Sequence, residues 1–157
     1  MPSEAAFRGK TLRFGDGSDA IFVHPRFVVM QQLLERLRTE VGEDETLLVL
    51  PEGVMLNFQL RRSNPTRFVN FMPPEFVMFG EDEMLAAFEH SPPDVVAVVK
   101  RSTHEYGYES FGSGYGEGVM AWLADNGYQV VATLSDPRLD AFEFGRALIL
   151  RQPSGLQ

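Results

Sequence analysis

The sequence contains no cysteine, and it has no long apolar run. Without cysteine, disulfides, thiolate nucleophiles and cysteine-bound zinc sites are excluded. No apolar stretch approaches the ~20 residues of a membrane span. The first ten residues also lack the apolar stretch of a signal peptide. We therefore expect no direct membrane insertion, and a cytoplasmic location if the chain is complete as it stands.

Basic charge is also scarce. Fourteen Lys and Arg residues stand against 22 Asp and Glu residues, and the formal net charge is −8. Nucleic acids bind basic surfaces, so they are not expected partners. The same deficit leaves no polybasic patch for anionic lipid. The carboxylates are dispersed along the chain, which indicates a solvated surface.

Apolar residues are plentiful enough for a core. The 157 residues, 44% of them hydrophobic, suit one folded unit. We predict a disordered leader over residues 1–10, a single α/β domain over residues 11–152 and a tail over residues 153–157.

Local patterns predict alternating helices and strands. Asp16-Gly17 between two short apolar runs indicates an N-terminal hairpin. Apolar periodicity predicts helices over residues 25–41, 54–60, 81–90 and 115–126. Buried strands are predicted over residues 46–50, 95–99, 129–134 and 144–150, and Pro73-Pro74 is predicted to break the chain.

This order predicts an α/β fold. Helices between strands favour a three-layer sandwich with a mostly parallel central sheet. The last strand follows its predecessor after a short loop, so we expect it to be an antiparallel edge strand. The N-terminal hairpin completes the predicted architecture.

Two polar loops follow predicted strands, and they are the candidate sites. Ligands of open α/β sheets bind beyond the carboxyl ends of the strands. Amides and carboxylates form hydrogen bonds with sugar hydroxyls, and Arg forms bidentate hydrogen bonds with phosphate. In the first loop the residues with this chemistry are Glu52, Asn57, Arg61, Arg62, Asn64, Asn70 and Glu75. The alternative is that Asn64-Pro65 and Pro73-Pro74 only form turns, which is the commoner use of such residues.

The second loop follows the strand that ends at Val99, and its polar residues include Arg101, His104, Tyr106, Tyr108 and Tyr115. His104 beside Glu105 has the chemistry of a general acid–base pair, although a lone His in a polar loop is more often solvated. The glycine-rich run over residues 111–116 misses the spacing of dinucleotide and P-loop motifs. Neither a nucleophile elbow nor metal-ligand spacing of the three histidines is present. We therefore predict no catalytic residue, metal or cofactor.

Several short runs together resemble a known family. The runs are Leu50–Asn57, Arg62–Thr66 and Asn70–Glu75, followed by Glu105-Tyr106-Gly107, Phe111-Gly112, Tyr115-Gly116 and Phe144-Gly145. In this order they resemble the soluble C-terminal region of bacterial family 39 membrane glycosyltransferases, relatives of the protein O-mannosyltransferases. The resemblance covers roughly residues 20–151.

The resemblance implies a non-catalytic, extracytoplasmic accessory domain of an enzyme that uses a polyprenyl-phosphate-linked sugar. The implied partner is the transmembrane core of the parent enzyme, which carries the catalytic carboxylate, so no catalytic residue carries over. Two alternatives remain: a free-standing module for a small anionic or sugar ligand, and a small enzyme that uses His104 and Glu105. The predicted residues for a sugar or phosphate ligand are Glu52, Asn57, Arg62, Asn64, Asn70, His104 and Tyr106.

Overall fold

The computed structural model describes residues 9–153. The strands are β1 (Leu12–Phe14), β2 (Ile21–Val23), β3 (Leu47–Leu50), β4 (Val95–Val99), β5 (Ser110–Phe111), β6 (Gly114–Tyr115), β7 (Gln129–Ser135) and β8 (Arg146–Arg151). The helices are α1 (Val28–Glu40), α2 (Val54–Leu60), α3 (Pro73–Phe79), α4 (Glu81–His90) and α5 (Glu117–Asp125). The predicted leader over residues 1–10 and the predicted tail over residues 153–157 lie almost entirely outside the described residues.

The central sheet has four strands in the order β3-β4-β8-β7. β3 and β4 are parallel, with Leu47 opposite Val95. β8 runs antiparallel to both of its neighbours, β4 and β7. The α/β class is confirmed, but the prediction of a mostly parallel sheet is wrong, since one of these three pairings is parallel. The physical reason is that residues 136–145 contain no helix to carry the chain back for a parallel strand.

The last strand, β8, is antiparallel as predicted, but the prediction that it forms an edge is wrong. β8 lies inside the sheet, and β7 forms the edge. β8 buries Ala147, Ile149 and Leu150, whereas most residues of β7 are exposed. An interior position removes the apolar run of β8 from water, which is the dominant favourable contribution to folding.

Helices cover both faces of the sheet, because successive strand residues point to opposite sides. Leu47 and Val49 pack with residues of α1 and α2 in one core cluster. Leu48 and Leu50 pack with residues of α4 and α5 in a second cluster. A strand whose residues are buried on both faces reads as a continuous apolar run, which explains the sequence pattern of β3 and β4.

The hairpin and most helices lie where the sequence predicts them. β1 and β2 pair antiparallel, with Leu12 opposite Val23. Helix α3 is the exception, because Pro73 and Pro74 start a helix instead of breaking the chain. Proline suits the first turn, where its missing N–H would have no helical partner. Gly80 ends α3 with a positive φ of 82°.

Candidate ligand-binding site

The loops that follow β3 and β4 meet at one edge of the sheet, because β3 and β4 are parallel neighbours. Arg101 follows β4, and its Nε donates to Oε2 of Glu52, which follows β3, at 2.9 Å. Arg101 also pairs with Glu143, and its guanidinium carbon lies 5.5 Å from the ring centroid of Phe144. One arginine therefore links three segments that are distant in sequence.

Arg101 is held in its charged form by these carboxylates. Burial acts to lower the pKa of Arg101, but the hydrogen bond to Glu52 and the charges of Glu143 and Glu52 raise it further than burial lowers it. The net result is a raised pKa. The guanidinium is already paired with two carboxylates, so it is not free to form a bidentate pair with an anionic ligand.

Asn70 connects the loop after β3 to helix α3. Glu52 and Asn70 form an isolated antiparallel bridge, and the N–H of Phe71 donates to the carbonyl of Pro51 at 2.7 Å. The side-chain Nδ2 of Asn70 donates to Oε1 of Glu75 at 3.0 Å. Asn70 Oδ1 and Glu75 Oε2 are buried and have no hydrogen-bond partner in the protein. Buried polar groups are normally paired, so unpaired acceptors on these two contacting residues indicate a place for a ligand or water.

Asn70 and Glu75 form the polar end of a groove beside α3. This α3 groove has a volume of about 330 Å³ and is lined by Arg67, Phe68, Val69, Asn70, Glu75 and Phe79. Phe68, Val69 and Phe79 give it an apolar wall. Arg67 pairs with Glu83, and its guanidinium carbon lies 4.8 Å from the ring centroid of Phe68. A groove with an apolar wall and a few polar groups is typical of small-molecule sites.

Two tyrosines from the loop after β4 lie near this edge. Tyr115 is only 7% exposed, and its hydroxyl makes no hydrogen bond of normal geometry. Burial raises the pKa of Tyr115 strongly and Glu75 adds to the rise, while Thr103 and Arg101 act to lower it. Tyr106 is exposed, and the charge of Glu105 raises its pKa. Both phenols are therefore protonated at neutral pH and can donate hydrogen bonds.

Three of the predicted residues use their polar atoms within the fold. The Nδ2 of buried Asn57 donates to the carbonyls of Leu47 at 2.7 Å and Arg62 at 3.2 Å. Arg62 Nη1 donates to the carbonyl of Leu60 at 2.9 Å, whereas its buried Nε has no hydrogen-bond partner. Asn64 donates to the carbonyls of Thr66 at 2.7 Å and Phe68 at 2.6 Å. The contacts of Asn64 fit the turn-forming alternative that the sequence left open for Asn64-Pro65.

His104 lies in a 3-10 turn over His104–Tyr106, and its side chain is exposed. The charge of Glu105 acts on the phenol of Tyr106 and raises its pKa. Within residues 9–153, no group of three or more side chains converges in a way that could hold a metal ion. No helix in the same range is long and apolar enough to cross a membrane.

The structure therefore brings two predicted ligand residues, Glu52 and Asn70, together with Arg101. The sequence places Arg101 in the loop after β4, but Arg101 is not one of the predicted ligand residues. Glu75 and Tyr115 were also noticed only as loop members. Phe79 and Glu143 have no signal in the sequence. Phe79 is an ordinary apolar residue. Glu143 lies in the loop before β8, and this loop comes close to Arg101 only because β8 pairs with β4.

Comparison of the chain with protein-family models, with curated proteins and with solved structures finds no match.

Proposed function

We propose that this chain is a non-catalytic accessory domain of a polyprenyl-phosphate-sugar-dependent membrane glycosyltransferase. In this function it helps to bind the head group of the donor or acceptor at the sheet edge where Glu52, Asn70 and Arg101 meet. The observation that carries the proposal is the packing of distant segments at this edge. Runs that carry the family resemblance, around Glu52, Asn70 and Phe144, contact each other or Arg101 there.

The chemistry of the edge supports binding. Carboxylate, amide and phenol groups surround a groove with an apolar wall, which suits a polyhydroxylated head group. A catalytic site needs a nucleophile or an acid–base pair held within hydrogen-bond reach. His104 is exposed and Glu105 interacts with Tyr106, so this pair does not supply such a site.

An exposed apolar tip next to the groove supports the accessory role. Val77 is 81% exposed and Met78 is 71% exposed, at the end of α3. Neighbouring apolar residues that are this exposed mark contact surfaces. In the proposed function this tip contacts the transmembrane core of the parent enzyme, on the extracytoplasmic side of the bacterial inner membrane.

Head-group binding is tested by titration of the isotopically labelled 157-residue chain with citronellyl phosphate mannose, a water-soluble donor analogue. We expect saturable shifts of amide resonances in residues 51–53, 70–79 and 101–106. Arg101 holds Glu52, whose segment bridges to Asn70, so the Arg101→Gln variant should weaken these shifts. The matched control Arg36→Gln, on the exposed face of α1, should keep them. An absence of shifts up to about 10 mM, where binding is weaker than about 3 kcal/mol, would reject head-group binding.

The accessory role has a separate genetic test. We expect the chain to be encoded in the same reading frame as a protein with many membrane spans, or beside one. An isolated gene with no such neighbour would count against the accessory role and would leave the binding result unaffected.

A further inference from the structure

We infer that the α3 groove binds the sugar part of the head group through its hydroxyl groups and does not bind phosphate, an inference that rests on the proposed function. Head-group binding by itself does not say whether the domain contacts the sugar or the phosphate of the ligand. The hydrogen-bond donors and acceptors of the groove favour the sugar.

The positive charges near the groove are already neutralised. Arg67, in the wall of the groove, pairs with Glu83. Arg101, at the neighbouring loop, pairs with Glu52 and Glu143. A phosphate needs free donors, and Arg is its usual planar partner. To bind here it would have to displace a carboxylate from one of these arginines, and it would then lie close to the charge of Glu75.

The buried unpaired atoms on the residues that line the groove are hydrogen-bond acceptors. Asn70 Oδ1 and Glu75 Oε2 have no partner, and both residues line the groove. The orientation of the Asn70 amide follows from its contact with Glu75, because an ionised carboxylate only accepts and must face the NH₂ group. These two oxygens therefore call for a ligand that donates hydrogen bonds. Sugar hydroxyls donate, whereas the phosphodiester of a polyprenyl-phosphate-linked sugar carries no proton at neutral pH and only accepts.

The apolar wall fits the other face of a sugar ring. Phe68, Val69 and Phe79 give the groove its apolar surface, and Phe79 is partly exposed. A pyranose carries C–H groups on the faces of its ring and hydroxyls at its edge, so it matches an aromatic wall next to a carboxylate and an amide. The volume of about 330 Å³ is at the lower end of ligand pockets, which suits a single sugar ring.

The test compares neutral glycosides with phosphate on the labelled 157-residue chain. Methyl α-D-mannopyranoside and methyl α-D-glucopyranoside are titrated against sodium phosphate at matched ionic strength. At least one glycoside should shift the amide resonances of residues 67–79, and phosphate should not. Glu75→Ala removes an acceptor and should weaken glycoside binding at least about tenfold. Asp82→Ala makes the same charge change at an exposed position of α4 and should leave binding unchanged.

Several results would overturn the inference. If phosphate shifts the same resonances and competes with citronellyl phosphate mannose, the groove is a phosphate site and head-group binding still stands. If the donor analogue binds but neither glycoside shifts the amide resonances up to about 10 mM, the groove does not bind the sugar. If all probes are silent, both the inference and the proposed head-group binding fail.

A second variant keeps the test decisive if Glu75→Ala does not fold, which the dispersion of its amide spectrum would reveal. Phe79→Leu keeps the wall apolar but removes a partly exposed aromatic ring. We expect it to weaken glycoside binding severalfold. Full affinity in this variant, with the resonances of residues 67–79 still shifting, would show that the aromatic wall is not part of the site.

Discussion

Arg101 Nε and Glu52 Oε2 lie 2.9 Å apart although 49 positions separate the two residues in sequence. Each residue follows the end of a strand, and the two strands, β3 and β4, are parallel neighbours. Parallel neighbours end at the same edge of a sheet, so their following loops are brought together. The ion pair joins these loops, and Glu143 adds a third segment to the same arginine.

Replacing Arg101 with Gln should lower the free energy of unfolding by up to about 1 kcal/mol. The guanidinium is mostly shielded, but both carboxylates are close to half exposed, so solvent screening limits the loss. Urea denaturation measures the effect. The control Arg36→Gln removes an exposed pair with Glu40 and should cost no more than about 0.5 kcal/mol. Equal losses in the two variants would show that the Arg101 pairs do not stabilise this edge.

Replacing Asn57 with Ala should destabilise the fold without affecting ligand binding. The change leaves the buried carbonyl of Leu47 without its donor, and an unpaired buried polar group costs about 1–3 kcal/mol. Urea denaturation and the glycoside titration together check both parts. Asn126→Ala, which removes a single exposed contact to the carbonyl of Trp122, is the control and should cost less. A folded Asn57→Ala variant of normal stability that fails to bind would instead make Asn57 a ligand residue.

Replacing His104 with Ala should change little. Its side chain is exposed, and surface substitutions of this kind usually alter stability by no more than about 0.5 kcal/mol. Ligand affinity should also stay within about twofold, because the α3 groove does not include His104. If a hydrolytic or transfer activity is found and this variant abolishes it, the interpretation of His104 and Glu105 as an acid–base pair is restored.

Stability should fall in strong base, in part through Tyr128. Burial raises the pKa of the Tyr128 phenol to about 12, and the charge of Asp94 adds to the rise. The unfolded chain releases this proton at a pKa of about 10. The contribution of Tyr128 to stability is therefore complete below about pH 10 and is lost as the pH rises towards about 12.

The urea midpoint of the wild-type chain should decrease across this pH window, and Tyr128→Phe should show a shallower decrease. The variant also loses the hydrogen bond from the phenol to the carbonyl of Pro93, so at pH 7 it should be less stable by about 1 kcal/mol. Tyr115, whose pKa is raised as well, leaves a residual dependence of the same sign. Identical slopes for the two proteins would contradict the assignment to Tyr128.

Local signals predicted most of the elements correctly. The periodicity before Gly42 predicted α1, and the apolar runs predicted β3 and β4. Such signals work because helix and strand periodicity depends on residues close together in the chain. Helix α3 was missed because proline has two uses, as a breaker and as a first-turn residue, and the choice between them depends on whether the next residues continue the helix.

The site was predicted only at the level of its loops. The carboxyl-end rule placed the loops after β3 and β4 at one edge, and Glu52 and Asn70 lie there. The same reasoning could not separate them from Asn57 and Asn64, since an amide that binds a backbone carbonyl and one that faces a groove are the same residue type. Which carbonyl lies within reach is set by the packing of the loop.

The sequence by itself determined the α/β class, the N-terminal hairpin, most helices and strands, and the polar character of the loops after β3 and β4. Each of these depends on local periodicity, turn residues or composition. Only the tertiary structure decided that β8 lies inside the sheet and that Arg101 takes Glu52 and Glu143 as partners. It also decided that Asn70 and Glu75, which line the α3 groove, each keep an unpaired acceptor. Those outcomes depend on contacts between residues far apart in the chain. Many strand orders and side-chain pairings are compatible with the same local pattern, and the free energies of burial and pairing in the whole fold select one of them.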